Sequence, residues 1–515
     1  MTFMNAMKNT MNEEFNVSYS ENGAVGYRTT GKALLDLNFA VASLRRASET
    51  EIIEKFIKAF AENPIIAMKW LFYARDAREG LGERRLFRVV ITALMKSNPE
   101  MVIPVIKLIA EYGRFDDMWC LLDNEKSAEV VYKIVDDQLT EDLKNMEAGK
   151  SISLLAKWMP SANASSKQTK KYAKQLYKAL GLTEREYRKA MSKFRKYLDV
   201  VEVKMSSKNW SEINYETVPS RANLVYNNAF LRNDEERRRE YLSKLEKGEA
   251  KINASVLYPH DIVHKYTGYS RYPRSMDATL EGLWKALPDN VGGCGNTIVV
   301  ADGSGSMGCS VGNTNVSALS VANALAIYFA ERSSGDFKDK YITFSERPQL
   351  VDFSHCTSLQ QKLQVAASHT EVANTNIEAV FDLILTTAIN GNMTQEEIPQ
   401  NILIVSDMEF DSCATCGNYS GYWNRSRPTQ KLFDVIAQKY AAAGYKLPRL
   451  VFWNVNSRTG TIPVKENDLG VALVSGFSTN ICKMVMSGET DPYKCLLETL
   501  NAERYDAIEQ ALISK

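Results

Sequence analysis

The sequence contains few of the residues from which disulfide frameworks and structural zinc sites are built. Its 515 residues include four histidines and eight cysteines. The cysteines follow no framework spacing and are Cys120, Cys294, Cys309, Cys356, Cys413, Cys416, Cys482 and Cys495. So low a density is typical of free thiols in a reducing compartment, and we therefore expect a cytoplasmic protein.

Long apolar runs are also missing from the sequence. No uninterrupted apolar stretch reaches the roughly 18 residues that a membrane helix needs. The N-terminal segment MTFMNAMKNTMNEEF lacks the apolar core of a secretory signal. A Walker loop, a dinucleotide-binding fingerprint and a nucleophile elbow are absent as well. We therefore expect no membrane association and none of the enzyme classes that these motifs mark.

The composition is that of an ordinary globular protein, with 45% hydrophobic residues, 24% charged residues and a net charge of +1. A chain of this length exceeds what one hydrophobic core usually fills, so we expect two or three domains. The net charge favours neither a nucleic-acid partner nor its absence, and local charge has to decide that question.

The N-terminal half of the chain has the hydrophobic period of helices. Ile52, Phe56 and Phe60 recur at helical spacing, and Asn63–Pro64 ends one helix and begins the next. Short helices punctuated by turns, without strands, favour stacked pairs of the HEAT-like repeat kind. We predict an N-terminal extension over residues 1–30, an α-helical repeat domain over 31–265 and a connector over 266–295.

From residue 296 onward the pattern changes to alternating strands and helices. Apolar strands are predicted at 297–301, 340–344, 402–405 and 450–455, with helices over 316–331, 377–388 and 431–443. Continuously apolar strands that alternate with helices indicate a doubly wound, Rossmann-like parallel sheet covered on both faces. The predicted fold class is therefore α + α/β, with the α/β domain over residues 296–515.

Oxygen-bearing side chains stand where the predicted strands end. Asp302, Ser304 and Ser306 alternate in the loop after the first strand, Asp407 follows the strand 402–405, and Thr375 directly precedes a helix. Because the carboxyl ends of parallel strands meet at one sheet edge, we expect these five side chains to converge. Hard cations prefer such oxygen ligands, which predicts a Mg²⁺ site, or one for Mn²⁺ or Ca²⁺. The alternative is a turn rich in serine and glycine with N-capping hydroxyls.

This pattern resembles the metal-ion-dependent adhesion site, or MIDAS, of von Willebrand factor A domains. The resemblance implies that Ser304, Ser306 and Thr375 bind the ion through their hydroxyls and that Asp302 and Asp407 act largely through bound water. It also implies that an acidic residue of a protein partner completes the ligand shell. One departure is a methionine at position 408, where many family members have glycine.

The N-terminal half resembles the helices of TROVE proteins, the Ro autoantigen family. The resemblance depends on the segments LFYARD at 71–76, GLGERR at 80–85 and EYGRFDD at 111–117. A poorly characterised bacterial, phage and plant family that joins such helices to a von Willebrand A domain is closer still. The segments SDMEF at 406–410 and VSGFS at 474–478 fit that second family. Both resemblances imply an RNA-binding ribonucleoprotein; whether the helices close into a ring stays open.

A basic stretch lies between residues 164 and 208, where thirteen lysines and arginines face four acidic residues. Interleaved aromatic residues could stack on unpaired bases while the cations bind phosphates. The alternative is a solvated helix face with its aromatic residues in the core. The predicted RNA-binding residues, which include two arginines from the GLGERR segment, are Lys167, Lys170, Lys171, Lys174, Lys178, Arg185, Arg188, Lys193, Arg195, Lys196, Arg84 and Arg85.

Three further groups have structural interpretations. The charged residues around Gly80 and Gly82 fit an internal ion-pair network as well as a nucleic-acid path. Cys413 and Cys416 have zinc-type spacing but no second pair, and the histidine pair His260 and His264 lacks a clear third ligand.

The sequence therefore favours a non-enzymatic RNA-binding protein with a metal-dependent docking site. The alternatives are a metal-dependent protein–protein scaffold without RNA and a metal-dependent hydrolase, which would need a general base beside the ion.

Overall fold

Strands of four to six residues form the central sheet, and segments of 7 to 23 residues form most of the helices. A computed structural model describes residues 2–514 apart from 269, 271, 293–295, 313, 371–374, 413–430, 466, 468 and 483–488. Its strands are β1 (Val17–Tyr19), β2 (Val25–Tyr27), β3 (Thr297–Asp302), β4 (Lys340–Phe344), β5 (Gln349–Asp352), β6 (Asn401–Ser406), β7 (Arg449–Asn454) and β8 (Val471–Ser475).

The helices before residue 250 are α1 (Phe3–Phe15), α2 (Ala33–Phe39), α3 (Val41–Leu44), α4 (Glu49–Glu62), α5 (Pro64–Arg75), α6 (Arg84–Ser97), α7 (Pro99–Val102), α8 (Ile109–Tyr112), α9 (Glu125–Glu147), α10 (Leu155–Trp158), α11 (Lys167–Ala179), α12 (Glu184–Tyr197), α13 (Val201–Ser206), α14 (Ser220–Asn233) and α15 (Glu235–Glu246). Those after it are α16 (Pro259–Thr267), α17 (Ala278–Lys285), α18 (Ala318–Arg332), α19 (Leu359–Ser368), α20 (Glu378–Asn390), α21 (Leu432–Ala442), α22 (Pro492–Leu500) and α23 (Asp506–Ile513). None of the described helices has the length and apolar character that crossing a membrane requires.

The chain forms two compact units, and each unit contains segments that are distant in sequence. Unit 1 comprises residues 1–62 and 257–499, and unit 2 comprises residues 63–256 and 500–515. The boundaries predicted from the sequence, at residues 31, 266 and 296, differ from this division. Hydrophobic periodicity identifies a segment as helical but does not reveal which core the helix joins.

Unit 1 is built on a six-stranded sheet with the strand order β5-β4-β3-β6-β7-β8. The pairs β3–β4, β3–β6, β6–β7 and β7–β8 are parallel, and every residue of β3, β7 and β8 is buried. The edge strand β5 pairs antiparallel with β4, so the sheet is mostly rather than wholly parallel. Helix α18, buried along most of its length, packs on β3, β4 and β6.

The first 62 residues join unit 1 through hydrogen bonds and packing. Helix α2 packs against β8, Ala42 N donates to Ser475 Oγ at 2.9 Å, and Asn454 Nδ2 donates to the Phe39 carbonyl oxygen at 2.9 Å. Strands β1 and β2 form an antiparallel hairpin, with one isolated bridge to Asp411 and another to Ile462.

Unit 2 is helical, and a buried ion network lies at its most charged turn. Asp117 is fully buried and accepts hydrogen bonds from Arg75 Nε at 2.7 Å, Arg88 Nε at 2.8 Å and Arg84 Nε at 3.1 Å. Burial alone would raise the pKa of Asp117, but these guanidinium groups outweigh it and hold the pKa below its usual value. A Cβ at Gly113 would lie 2.6 Å from Asp117 Oδ2, which explains the glycine in the EYGRFDD segment.

Candidate metal centre and basic surface

The candidate metal centre lies at the topological switch point of the sheet, where the order of strand addition reverses. From β3 the chain adds β4 and β5 on one side, and it returns to add β6, β7 and β8 on the other side. Strands β3 and β6 are therefore parallel neighbours whose carboxyl ends, Asp302 and Ser406, flank the switch point. Ligands of open α/β sheets bind in this crevice.

Asp302 and the serine loop are joined by short hydrogen bonds. The buried Asp302 carboxylate accepts from Ser304 N at 2.9 Å and from Ser406 Oγ at 2.6 Å, and Ser304 Oγ lies 3.1 Å from Ser306 Oγ. A Cβ at Gly303 would lie 2.9 Å from Thr343 Oγ1. A larger residue at position 303 would therefore crowd Thr343, which explains the first glycine of the DGSGS segment.

Asp407 brings a second buried carboxylate to the same place. Its Oδ1 accepts from Glu409 N at 3.2 Å, whereas no described residue donates a hydrogen bond to its buried Oδ2. Burial and the Asp407 charge together raise the pKa of Asp302 to about 7, against the opposing hydrogen bonds from Ser406 and Ser304. Burial likewise raises the pKa of Asp407, against Ser306 and Arg458. The two carboxylates repel each other, and among the described residues the Arg458 guanidinium partly offsets the charge of Asp407.

Thr375 is buried and is connected to the loop after β6 by two contacts. Its carbonyl oxygen accepts from Asp411 N at 3.0 Å. Asn22 Nδ2, in the β1–β2 turn, lies 3.3 Å from Thr375 Oγ1 and donates to the Glu409 carbonyl oxygen at 2.7 Å. Next to it, Asn376 N donates to the Ser345 carbonyl oxygen just after β4. Thr375 therefore lies at the carboxyl edge of the sheet.

These residues fit a hard divalent cation. Two carboxylates and three hydroxyls supply only oxygen ligands, which Mg²⁺ and Ca²⁺ prefer. Asp407 Oδ2 accepts no hydrogen bond from a described residue, but it forms an ion pair with Arg458 Nη1 at 3.3 Å. Within the described part of the chain, no cluster of three or more His, Cys, Asp or Glu side chains could hold a metal. Any metal held at this edge would therefore depend on the serine and threonine hydroxyls.

Exposed basic side chains are concentrated on α11 and α12 in unit 2. Nine of the thirteen basic residues of the 164–208 stretch project from these two helices, are exposed, and have no hydrogen bond or ion pair to any residue that the structure describes. These residues are Lys167, Lys170, Lys174, Lys178, Arg185, Arg188, Lys189, Lys193 and Lys196. Their spacing of three or four residues within each helix places them along connected faces.

Other residues of the basic stretch have structural roles. Lys171 Nζ lies 2.6 Å from Asp123 Oδ1, Lys204 pairs with Asp199 at 2.8 Å, and Arg195 donates to the carbonyl oxygens of Ala156 and Met159. Lys171 and Arg195 were among the predicted RNA-binding residues, and these contacts give both side chains intramolecular partners.

Two of the five aromatic residues between 164 and 208 are part of the core. Tyr187 and Phe194 are buried, and Tyr187 Oη donates to the Pro160 carbonyl oxygen at 2.7 Å. Tyr197 is 39% exposed, so it alone of these three could stack on a base. Tyr172 and Tyr177 are half-buried, so aromatic side chains stay partly accessible beside the exposed cations.

The arginines of the GLGERR segment differ in their surroundings. Arg84 is part of the ion network with Asp116 and Asp117, which agrees with the structural alternative rather than with a free phosphate ligand. Arg85 is exposed and has intramolecular interactions of its own.

Comparison with known proteins identifies the family. Residues 296–509 match the family model described as Domain of unknown function (DUF7788), and residues 20–122 and 162–296 match Domain of unknown function (DUF2828). The chain is 30% identical to the uncharacterized protein L728 of Acanthamoeba polyphaga mimivirus over 523 residues, covering 94% of this chain and 87% of the viral protein. The chain belongs to the family of this viral protein.

Among solved structures, the chain is similar to the Ro (RSR) protein of Deinococcus radiodurans. The TM-score is 0.36 and the sequence identity is 13%, and the match covers 86% of this chain and 92% of the Ro chain.

Sequence reasoning missed two buried or half-buried charges beside the metal centre. Glu409, fully buried, accepts hydrogen bonds from the backbone nitrogens of Glu21, Arg458 and Thr459 at 2.7 to 2.9 Å. Arg458 Nη1 lies 3.3 Å from Asp407 Oδ2, and its Nε lies 2.5 Å from Glu21 Oε2. Glu409 could have been found from the sequence, because it is an acidic residue two positions after the predicted ligand Asp407. No local pattern indicates that Arg458 lies near the site.

The remaining metal candidates have other surroundings. His260 is buried between Tyr258, with ring centroids 5.6 Å apart, and Phe477, at 5.0 Å. This is the core role expected of it. Cys413 and Cys416 lie outside the described residues, as does Cys294. None of the five described cysteines forms a disulfide with another.

Proposed function

We propose that this protein is a non-enzymatic RNA-binding protein whose sheet domain carries a divalent-cation docking site. In this proposal α11 and α12 bind the RNA backbone, and the helices of unit 2 are HEAT-like repeats of the TROVE kind. The sheet of unit 1 is a von Willebrand A-type domain with a MIDAS-like site. The observation that carries the RNA assignment is the row of nine exposed, unpaired cations on two adjacent helices.

Cations without an intramolecular ion pair can bind phosphates without first breaking a contact within the protein. In a chain of net charge +1, such a row means that the positive charge is concentrated on this face. Contacts of this kind read the backbone rather than the sequence, so we expect affinity for single-stranded RNA with strong salt dependence and little base preference. The motif resemblance to TROVE proteins implies the same activity.

The RNA assignment is tested by reversing three charges on α11. The triple variant Lys170→Glu, Lys174→Glu and Lys178→Glu should weaken binding of a fluorescent single-stranded RNA, measured by anisotropy from 50 to 300 mM salt. If each lysine neutralises one phosphate, the slope of log K against log salt should fall by about 2.

A matched control reverses three exposed lysines of α9 in the same unit, with Lys126→Glu, Lys133→Glu and Lys144→Glu. This variant has the same net charge and should bind RNA with the slope of the unchanged protein. Equal weakening in both variants would mean that total charge rather than this surface matters. Unchanged binding in the α11 variant would remove the RNA assignment.

For the metal centre, the support is the group of two buried carboxylates and three hydroxyls at the carboxyl edge of the sheet. Hydroxyl-rich ligand sets suit docking of an acidic group from a protein partner, because no general base stands among the proposed ligands. The same support holds for a metal-dependent protein–protein scaffold without RNA, which is the second candidate function.

The metal assignment is tested by Asp302→Ala in isothermal titration with Mg²⁺ and Mn²⁺. We expect the unchanged protein to bind the ion and to gain thermal stability, about 2.7 kcal/mol at a hundred times Kd, and the variant to lose both. Asp336→Ala, at an exposed position of the same unit, is the control and should behave as the unchanged protein. Equal binding in all three proteins would exclude this centre.

A further inference from the structure

A cleft of about 790 Å³ opens beside the metal centre, within unit 1. One wall is the face of α4 that carries Lys55 and Lys58, and the opposite wall is the loop after β7 with Asn456 and Arg458. The segment before α2 contributes Arg28. A volume of this size lies within the range of small-molecule sites.

The cleft is lined by five cations, four of which have no carboxylate partner in the described part of the chain. Arg28 donates only to a carbonyl oxygen, that of Val17, at 3.3 Å, and Arg46, Lys55 and Lys58 make no described side-chain hydrogen bond or ion pair. The fifth is Arg458. These cations come from four different segments, so their convergence on one space is produced by the fold rather than by a charged stretch of sequence.

Three acidic residues also line the cleft, and two of them are already engaged. Asp36 accepts from Thr30 N at 2.8 Å and from Thr30 Oγ1 at 2.6 Å. Glu62 accepts from Ala33 N at 2.8 Å and so caps α2. Glu51 is exposed and forms no ion pair with Lys55, although the two are one helical turn apart. The acidic residues therefore leave the cationic side chains available.

Asn456, in the loop after β7, also lines the cleft. It is 1% exposed, and its Nδ2 has no hydrogen-bond partner among the described residues. A buried amide without a partner is costly, so this wall of the cleft carries an unsatisfied polar group.

We propose that this cleft binds a small phosphorylated molecule of nucleotide size through its phosphate group. A phosphomonoester carries close to two negative charges and three acceptor oxygens. These match unpaired guanidinium and ammonium groups on several walls of the cleft. The same chemistry is offered by a free nucleotide and by the 5′-phosphate of an RNA. The inference depends on neither the RNA surface nor the metal centre.

The test is calorimetric titration of the full chain in EDTA with adenosine 5′-monophosphate, inorganic phosphate and adenosine. We expect the two phosphates to bind and adenosine not to bind. Arg46→Ala and Lys58→Ala should each weaken binding about tenfold, since each removes one charge-assisted hydrogen bond. Both residues are exposed, so neither variant should disturb folding. Lys285→Ala, on the exposed face of α17, is the control and should bind normally.

Competition then distinguishes the two sources of the phosphate. Two short RNAs compete with the bound nucleotide, one with a 5′-phosphate and one with a 5′-hydroxyl. If only the 5′-phosphorylated RNA displaces the nucleotide, the site binds RNA ends. If neither RNA displaces it, the site binds free nucleotides. The proposal is overturned if neither phosphate binds at millimolar concentration in EDTA. It is equally overturned if Arg46→Ala and Lys58→Ala bind as tightly as the Lys285→Ala control.

Discussion

At the scale of single residues, the Asp117 carboxylate organises the charged turn of unit 2. Three guanidinium groups donate to it, and Arg114 N adds a fourth hydrogen bond at 3.0 Å. Asp117→Asn keeps the volume but removes the charge that balances the buried Arg75. Because breaking a buried ion pair leaves an uncompensated charge, the variant should lose about 3–5 kcal/mol of unfolding free energy, measured by urea denaturation.

The same carboxylate predicts an acid dependence of stability. Its pKa is lower in the folded than in the unfolded chain, so its contribution is present above the unfolded value, about 3.9, and is lost as pH falls through the folded value. Asp117→Asn should flatten this loss below about pH 4. The exposed Asp137→Asn, on α9, should keep both stability and acid dependence; a similar loss in the two variants would contradict the role of the network.

The positions of Asp302 and Asp407 at the sheet edge could be predicted from the sequence because each is fixed by a local rule. Asp302 and Asp407 end apolar strands, and strand ends of a parallel sheet share an edge. The contacts that Asn22 and Arg458 make at this site could not be predicted from the sequence. They depend on how the β1–β2 turn and the loop after β7 meet. Arg84 was predicted to bind RNA but forms ion pairs with Asp116 and Asp117. The pattern of charges in a sequence does not show whether an arginine binds a carboxylate of its own chain or a phosphate.

At the scale of elements, Glu409 joins three segments of unit 1. Its carboxylate receives backbone N–H groups from the β1–β2 turn, through Glu21, and from the loop after β7, through Arg458 and Thr459. Glu409→Gln replaces one acceptor by a donor that faces these N–H groups. We expect faster hydrogen exchange in residues 20–24 and 457–461, measured by mass spectrometry. The reason is that the glutamine side chain has one oxygen to accept these N–H groups, whereas the glutamate carboxylate has two.

The exchange of β3, β6 and β7 should not change in this variant, because the buried ladder of these strands does not include the carboxylate. Glu346→Gln, at an exposed turn, is the control and should match the unchanged protein everywhere. Unchanged exchange in residues 20–24 would show that the turn is held by its other contacts, such as Ser20 Oγ to the Phe410 carbonyl oxygen.

Strands β3, β4, β6 and β7 were predictable because each is a bounded apolar run between helical patterns. The hairpin of β1 and β2 was not, since strands of three residues are too short to show a period and are fixed by partners far along the chain. The edge strand β5 is similar, being short and half-exposed, so neither an apolar run nor an alternation marks it.

At the scale of the whole molecule, the chain enters unit 2 at residue 63, leaves it at 256 and returns at 500. The returning segment supplies partners for two buried charges of α5 and the turn after it. Lys69, 1% exposed, has its Nζ 2.5 Å from Glu509 Oε2. Asp76, fully buried, accepts from Arg504 Nη2 at 2.9 Å and from Tyr505 Oη at 3.1 Å.

Ending the chain after Thr499 should therefore unfold unit 2 while leaving unit 1 folded. Lys69 and Asp76 would lose their partners, and each uncompensated buried charge costs about 3–5 kcal/mol, which together is comparable with the 5–15 kcal/mol that stabilises a typical domain. Hydrogen exchange should become fast in α5 and α6 and stay slow in β3 and β6. Ending the chain after Leu512 removes only the last three residues, retains all these partners and should leave α5 protected. Slow exchange of α5 in the shorter chain would mean that residues 63–256 hold their core without the returning segment.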